Sequence, residues 1–493
     1  MSPLLLTDGY KLDHRRQYPA GTTLVYSNWT PRKSRVPGVD TVVFFGLQYF
    51  LKEYVQTRFE RDFFARPKQE VVDEYSARVN AYLGPDNQVG TEHIAALHDL
   101  GYVPMSFKAL PEGASVPMRV PMFTMVNTLP EFFWLTNYFE TLLSAVVWMP
   151  CNSATLAREY RKILDAAAAK TSGAPDFVDF QGHDFLMRGM AGVEAALMSG
   201  AGHLLSFSGS DTIPAVDWLE RYYNADAQRA NGAGAPLGSP VAASVAATEH
   251  SVMSMGTQDD ELETFRRLIE DVYPSGVVSI VSDTWDLWQV LTEYLPALKD
   301  KVLAREGKVV IRPDSGDPAD IICGAPSGKT DNERRGVVQL LWDTFGGTVN
   351  DKGYKELDPH IGAIYGDSIT LDRARDITGR LAAKGFASTN VVLGVGSFTY
   401  QYNTRDTFGF AMKATYGEVD GEGRAIYKDP ITDDGTKKSA RGLVRVEREN
   451  GAYVLYDEQT WAQESDGELR EVFRDGQLLV DWTLAEVRGR ARG

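Results

Sequence analysis

Between Phe177 and Ser397 the chain repeatedly runs apolar for a few residues and then stops on Asp, His, Arg or Gly. The run 309–311 gives way to Arg312-Pro313-Asp314-Ser315-Gly316, the run 277–281 to Ser282-Asp283, and the run 361–365 to Gly366-Asp367. Runs 204–207, 241–247 and 391–393 lead in the same way to Gly209-Ser210-Asp211, Glu249-His250 and Gly394-Val395-Gly396. Each ending has a chemistry. Arg312 offers a planar fork that matches phosphate oxygens. Asp314, two residues on, points to the same side of a strand end and can accept from sugar hydroxyls, while Ser-Gly lets the backbone turn and present its amides. Taken alone, the string reads equally as a structural Arg–Asp pair closing a loop. His250 alone is most simply a structural histidine. With a carboxylate such as Asp283 on one ring nitrogen, its other nitrogen becomes more basic, as general-base chemistry or a phosphorylatable imidazole requires.

The elements that must hold these residues are short β-branched strands buried on both faces, separated by stretches long enough for a helix each. Reactive residues gathered at the C-terminal ends of parallel strands are how β/α barrels build active sites, so the series predicts a barrel-like catalytic domain over 151–399. A polar stretch with an uneven interval predicts an insertion at about 319–358. Residues 23–30 and 105–126 alternate as strands broken by Pro and Gly, and Asn450-Gly451 and Asp475-Gly476 mark hairpins near the other end. The two chain ends, 1–150 with 400–493, are therefore expected to build one α+β domain together, with the barrel inserted between them. Thr128-Leu129-Pro130-Glu131 predicts a capping box opening a helix to Met149, with a second helix over 153–170.

Composition narrows the partners. The 493 residues carry a formal charge of −16, which argues against nucleic acid or an anionic membrane, so a phosphate site must be a local basic cluster. Two cysteines, Cys151 and Cys323, allow no disulfide framework and fit a reducing cytoplasm. The N-terminus lacks the basic region of a signal peptide, and the apolar stretch 132–149 contains Asn137 and Glu140, which suits a core helix rather than a membrane span.

Two motif resemblances fail. Gly394-Val395-Gly396 would need a third glycine at Thr399 to be a dinucleotide fingerprint, though it remains a loop able to bind phosphate through amides. Gly324 to Thr330 is one residue short of a P-loop and follows no buried strand. His93 and His98 have no metal-ligand spacing, and no metal is expected to be held by the protein alone. Magnesium arriving on a diphosphate would leave little signature.

Taken together, these strings resemble the nicotinamide phosphoribosyltransferases, of the type II phosphoribosyltransferase fold. The resemblance runs through Thr7-Asp8-Gly9-Tyr10-Lys11, Phe45-Gly46-Leu47-Gln48-Tyr49, His183-Asp184-Phe185 with Arg188-Gly189, Gly209-Ser210-Asp211-Thr212, Glu249-His250-Ser251, Ser282-Asp283, Arg312 to Pro318, Gly366-Asp367, Arg405-Asp406 and Lys428-Asp429-Pro430. It covers nearly the whole chain in order. It implies an irregular β/α barrel plus a sandwich domain from both chain ends, and a pentosyltransferase that joins nicotinamide to 5-phosphoribosyl 1-diphosphate in NAD salvage. It implies a cytoplasmic homodimer with shared active sites, magnesium brought in with the diphosphate, and ATP as a coupling substrate that phosphorylates His250. By resemblance His250, Asp283 and Asp314 are assigned to catalysis, with Asp283 partnering His250. Tyr10 (from the other subunit), Phe185 and Asp211 are assigned to the nicotinamide, and Arg188, His250 and Arg312 to the diphosphate. Arg312, Asp314, Gly366 and Asp367 match nucleotide and ribose contacts, and Arg32, Gly396, Ser397, Arg405 and Lys413 match 5′-phosphate contacts.

The residues themselves agree. Breaking the C1–diphosphate bond builds positive charge on the ribose and negative charge on the leaving group, which a carboxylate and a basic trio serve. The pyridine nitrogen is already a nucleophile and needs orientation only. Asp211 facing an amide gains a hydrogen bond, whereas facing the carboxyl of nicotinate it meets a like charge. The chain departs from the family at Ser397, where consecutive glycines are usual, and at Ala411, often Ser. Two other readings are nicotinate phosphoribosyltransferase and a catalytically silent binding paralogue. The second should have lost some of His250, Asp283, Arg312 and Asp314. An aldolase would need a Schiff-base lysine ending an apolar run, and none does.

Overall fold

A computed structural model describes residues 2–225, 241–366, 368–427 and 440–493. The chain divides into two compact units, Met1–Thr155 with Trp218–Ala225 and Asn403–Gly493, and Leu156–Asp217 with Asp226–Tyr402.

The second unit is built on seven parallel strands: β1 (Gly182–Asp184), β2 (Gly209–Ser210), β3 (Ala246–Ala247), β4 (Ser275–Val281), β5 (Glu306–Arg312), β6 (Ile361–Tyr365) and β7 (Val391–Val395). Their order is β2-β1-β7-β6-β5-β4-β3. The two edges meet through one bridge, in which the Ser210 amide donates to the Ala243 carbonyl at 3.1 Å and the Ala243 amide to that of Ser208 at 2.6 Å. The result is an irregular barrel. Val309, Ile311, Ile280, Val278, Ile361 and Leu393 are almost wholly buried, as the β-branched runs require. Two of the runs are not strands along their length. Residues 204–207 follow the helix Val193–His203 as its buried last turn, and only Gly209–Ser210 pairs; in 241–247 only Ala246–Ala247 pairs as a strand. A short apolar run is buried in either state, and periodicity cannot separate them.

The stretch expected as an insertion forms helices Pro318–Cys323, Asp331–Arg335 and Val337–Phe345 and a small hairpin, Gly347–Val349 with Lys355–Leu357. The P-loop-like string ends here on Thr330, whose hydroxyl and Glu333 form a capping box for the second of these helices.

The first unit carries a seven-stranded antiparallel sheet in the order Glu422–Ala425, Ala411–Val419, Thr22–Thr30, Phe123–Asn127, Met105–Ala109, Arg470–Arg474, Gln477–Leu478. Three strands from the N-terminal part of the chain thus form the centre of one sheet, flanked on each side by two strands from the C-terminal part. Its core centres on Trp29, fully buried and stacked between Phe123 (6.1 Å) and Phe410 (5.6 Å). Asn450-Gly451 and Asp475-Gly476 turn the hairpins with positive φ at all four residues.

The expected capping box at Thr128 does not form. Its hydroxyl donates instead to Asp475 at 2.5 Å, and Pro130–Phe132 is a single 3₁₀ turn. The two expected helices are one, Glu140–Thr171, running through Pro150. The proline ring lies over Gly46, where an added Cβ would stand 2.5 Å from its Cγ, so packing outweighs the missing amide. No helix among the described residues is long and apolar enough to cross a membrane.

Candidate active site

The C-terminal ends of the barrel strands converge on one site. At the end of β1, the buried Asp184 accepts from the Leu186 amide (2.7 Å) and the Ser210 hydroxyl (2.8 Å), and its carbonyl accepts from the Asp211 amide (2.9 Å). This clamp fixes the loop 185–189 against the end of β2. It sets Phe185 against His183, ring centroids 4.6 Å apart. His183 Nε2 donates to Asp211 Oδ1 at 2.9 Å, and the Ser244 hydroxyl donates to the same oxygen at 2.5 Å. Burial raises the Asp211 pKa, but those two hydrogen bonds and the charge of Arg312 outweigh it and hold the carboxyl below its ordinary value. Asp211 is therefore ionised at neutral pH, and Oδ2 has no donor among the described residues.

At the end of β5, burial draws the Arg312 guanidinium below its ordinary pKa, opposed by Asp314, Asp211 and Asp283, while Arg188 adds to the depression. Its Nε is buried without a partner, and neither Arg312 nor Arg188 forms an ion pair among the described residues. Two arginines lining one hollow, neither locked in an ion pair, are a site for a multiply charged anion. Gly366, after β6, is required here, because a Cβ would come within 2.7 Å of Asp314 Oδ1 and 3.5 Å of Arg312 Cδ.

The partner expected for His250 is different. Asp283 Oδ2 accepts from the Asp314 amide at 2.8 Å and from the Ser315 hydroxyl, so it caps the loop 312–316 rather than the imidazole. The carboxylate facing His250 is Asp314, 3.8 Å from Nε2, while Thr284 Oγ1 lies 3.5 Å from Nδ1. His250 is half-exposed at the start of the helix His250–Met255. After β7, Gly396 precedes the short helix Ser397–Gln401, and Ser397 occupies the space over Gly189, where a Cβ would stand 1.9 Å from the serine hydroxyl.

Two connected hollows result. The outer one, ≈ 280 Å³, is mixed in character, with Arg188, Glu249, Arg312 and Asp314 as the charged part of its wall and Gly366 beside them. The inner one, ≈ 350 Å³, is mainly apolar and runs down the barrel past Phe180, Val310 and Val392. Phe185, Asp211, Ala247 and Arg312 line both. Among the described residues there is no group of three or more His, Cys, Asp or Glu able to hold a metal ion.

Tyr10, Arg32, Arg405 and Lys413 belong to the other unit. Tyr10 is exposed on the turn Gly9–Asp13, with the Lys11 ammonium 5.2 Å from its ring centre. Arg32 Nε donates to the Gly409 carbonyl at 2.9 Å, Arg405 faces Asp406 at 3.4 Å, and Lys413 pairs in register with Asn28. Asp367 and the string Lys428-Asp429-Pro430 lie outside the described residues. Sequence reasoning missed Phe177, Phe180, Ser244 and Lys308 as cavity residues. Only Lys308 had a readable signal, since it shares with Val310 and Arg312 the alternate-residue face of β5.

A parallel β/α barrel with an ionised carboxylate beside an aromatic slot, opening on paired arginines, defines an enzyme site for a flat polar ring and a phosphate-rich anion. Residues 180–477 match the family model described as the nicotinate phosphoribosyltransferase (NAPRTase) family, and residues 2–79 match that of the nicotinamide phosphoribosyltransferase N-terminal domain. The chain belongs to the nicotinate phosphoribosyltransferase family. It is 52% identical to a nicotinamide phosphoribosyltransferase of Acinetobacter baylyi over 99% of this chain and 97% of that one. It is 35% identical to one of Xanthomonas campestris, again over 99% and 97%. Two solved structures share the fold: nicotinate-nucleotide pyrophosphorylase from Pyrococcus furiosus (TM-score 0.56, 14% identity, 99% of this chain and 95% of that one) and human nicotinic acid phosphoribosyltransferase (TM-score 0.51, 15% identity, 99% and 93%).

Proposed function

We propose that this enzyme transfers the 5-phosphoribosyl group from 5-phosphoribosyl 1-diphosphate to nicotinamide, giving nicotinamide mononucleotide and diphosphate in NAD salvage. The observation that carries the choice of base is Asp211. Its Oδ1 is saturated by His183 and Ser244, and its ionised Oδ2 is left to accept from an amide NH₂. The face of Phe185 beside it suits a pyridine ring.

The C1–oxygen bond breaks with its electron pair leaving on diphosphate, and the pyridine nitrogen supplies the pair for the new C1–nitrogen bond. Arg188 and Arg312 receive the leaving charge, and Asp314 stands where a carboxylate can offset positive charge on the ribose. Magnesium enters as part of the diphosphate substrate, and the outer hollow with Asp314 at its wall suits that cargo.

We infer also that ATP drives the reaction by phosphorylating His250. The half-exposed imidazole at the mouth, with Asp314 near Nε2, supports this reading. A homodimer in the cytoplasm, with Tyr10 and Arg32 completing the partner's site, is part of the same proposal; the exposure of Tyr10 supports it.

The test is a turnover assay with 5-phosphoribosyl 1-diphosphate and magnesium, nicotinamide against nicotinate, with and without ATP. Mononucleotide from nicotinamide, raised by ATP only while His250 is present, is the expected result. Product from nicotinate alone would overturn the choice of base. ATP stimulation that persists in His250→Ala would overturn the phosphohistidine, and no product from either base would favour a binding paralogue.

A further inference from the structure

The inner cavity is larger than one pyridine ring requires. A cavity of about 150 Å³ holds benzene, and this one is ≈ 350 Å³. Its far end is charged. Lys308, Val310 and Arg312 lie on the same face of β5, so at about 3.3 Å per residue Lys308 sits roughly 13 Å down the barrel from Arg312. The lysine stem lies along Gly362, where an added Cβ would stand 3.3 Å from Cδ and 3.9 Å from Nζ. Phe177, Phe180 and Val277 form the apolar wall around it.

No described residue pairs with this amine. Thr389 and Asn390 share the cavity wall, but Thr389 Oγ1 is hydrogen-bonded to Ser172, and both ends of the Asn390 amide are engaged by the backbone of Lys355 and Leu357. Asp358, the carboxylate whose charge reaches Lys308, gives Oδ1 to the amide and ring of His360. The other charged or titratable residues of the cavity, His183, Asp211 and Arg312, belong to the base end. Lys308 is partly buried, and an ammonium drawn partly out of water without a partner is disfavoured; burial holds this one below the usual lysine range. A carboxylate brought into the cavity would remove that cost.

We propose that the far end of the cavity is an anion subsite, in which the Lys308 ammonium receives the carboxylate of a small aromatic acid that the base end at Asp211 repels. Such an acid lies with its ring between Phe180 and Val310 and occupies the barrel below the base. The subsite goes beyond the transfer reaction and does not depend on it, because binding is measurable in a protein that turns over neither base.

The probe is benzoate at pH 7, titrated by calorimetry into the full chain and into Lys308→Met and Lys308→Arg. Binding at least tenfold weaker in Lys308→Met and within threefold of the parent in Lys308→Arg is the expected result. Equal benzoate affinity in Lys308→Met overturns the proposal, since the acid then sits on Arg188 and Arg312. Methyl benzoate, the neutral ester, tests the unaltered chain and covers a variant that fails to fold. An ester that binds as well as the acid also overturns it, and a tenfold preference for the acid supports it.

Discussion

Replacing Asp211 with Asn should collapse the discrimination between the amide and the acid base. Two like charges about 4 Å apart at an effective dielectric near 20 repel by about 4 kcal/mol. The Asp211 side chain is 43% exposed, so solvent screening lowers this to roughly 2 kcal/mol. The hydrogen bond lost when a carboxylate replaces the NH₂ adds about 1 kcal/mol. The sum, about 3 kcal/mol, is a preference on the order of 100-fold. The geometry also dictates which way the asparagine turns. His183 and Ser244 both donate to Oδ1, so the carbonyl stays there and the NH₂ stands where Oδ2 was. That NH₂ confronts the amide of nicotinamide with a donor and offers nicotinate a hydrogen bond. The ratio of kcat/KM for nicotinamide over nicotinate, from initial rates at saturating 5-phosphoribosyl 1-diphosphate, should fall at least 100-fold. A ratio within threefold of the parent would mean that Asp211 does not read the base.

Two further perturbations test the scaffold. Gly189→Ala should raise the KM for 5-phosphoribosyl 1-diphosphate, because its Cβ would lie 2.5 Å from that of Ser397. Ser397→Gly in the same chain should restore it, and strictly additive effects would show that the two loops do not press on each other. The third concerns pH. Glu261 is buried, its Oε1 lacks a partner, and burial together with Asp286 pushes its pKa up to about 7 from the ordinary 4.5. The unfolded chain loses this proton near pH 4.5 while the folded one keeps it to about 7, so its contribution to stability falls as pH rises through that window. The loss amounts to at most about 3 kcal/mol. Glu261→Gln should flatten denaturation midpoints measured between pH 5 and 8, and a curve parallel to the parent's would refute the assignment.

The apolar runs stopping on chemistry were legible because a strand buried on both faces must be apolar throughout, whatever surrounds it. That property announced the barrel at β4, β5, β6 and β7. The order of motifs announced the reaction through its resemblance to a known family, and a basic cluster with a carboxylate at strand ends agreed with it. Hairpins at Asn450-Gly451 and Asp475-Gly476 were equally local, being set by residues that tolerate positive φ. Where a signal depended on its surroundings, it misled. Thr128 had the sequence of a helix cap and spent its hydroxyl on Asp475, and the two helices expected on either side of 150 are one, carried through Pro150 by its packing on Gly46.

The sequence by itself determined which residue types could bind a diphosphate, hold a base and face a histidine, because those capacities belong to side chains. Which group meets which was decided by tertiary structure alone. On paper Asp283 was the partner of His250 and Asp314 a sugar contact; the loop at 312–316 took the first for its own amide and left the second facing His250. Lys308 was one lysine among many until β5 turned it into an apolar cavity behind Arg312. Hydrogen-bond partners and dielectric surroundings are properties of neighbours, and residues far apart in the chain become neighbours only through the fold.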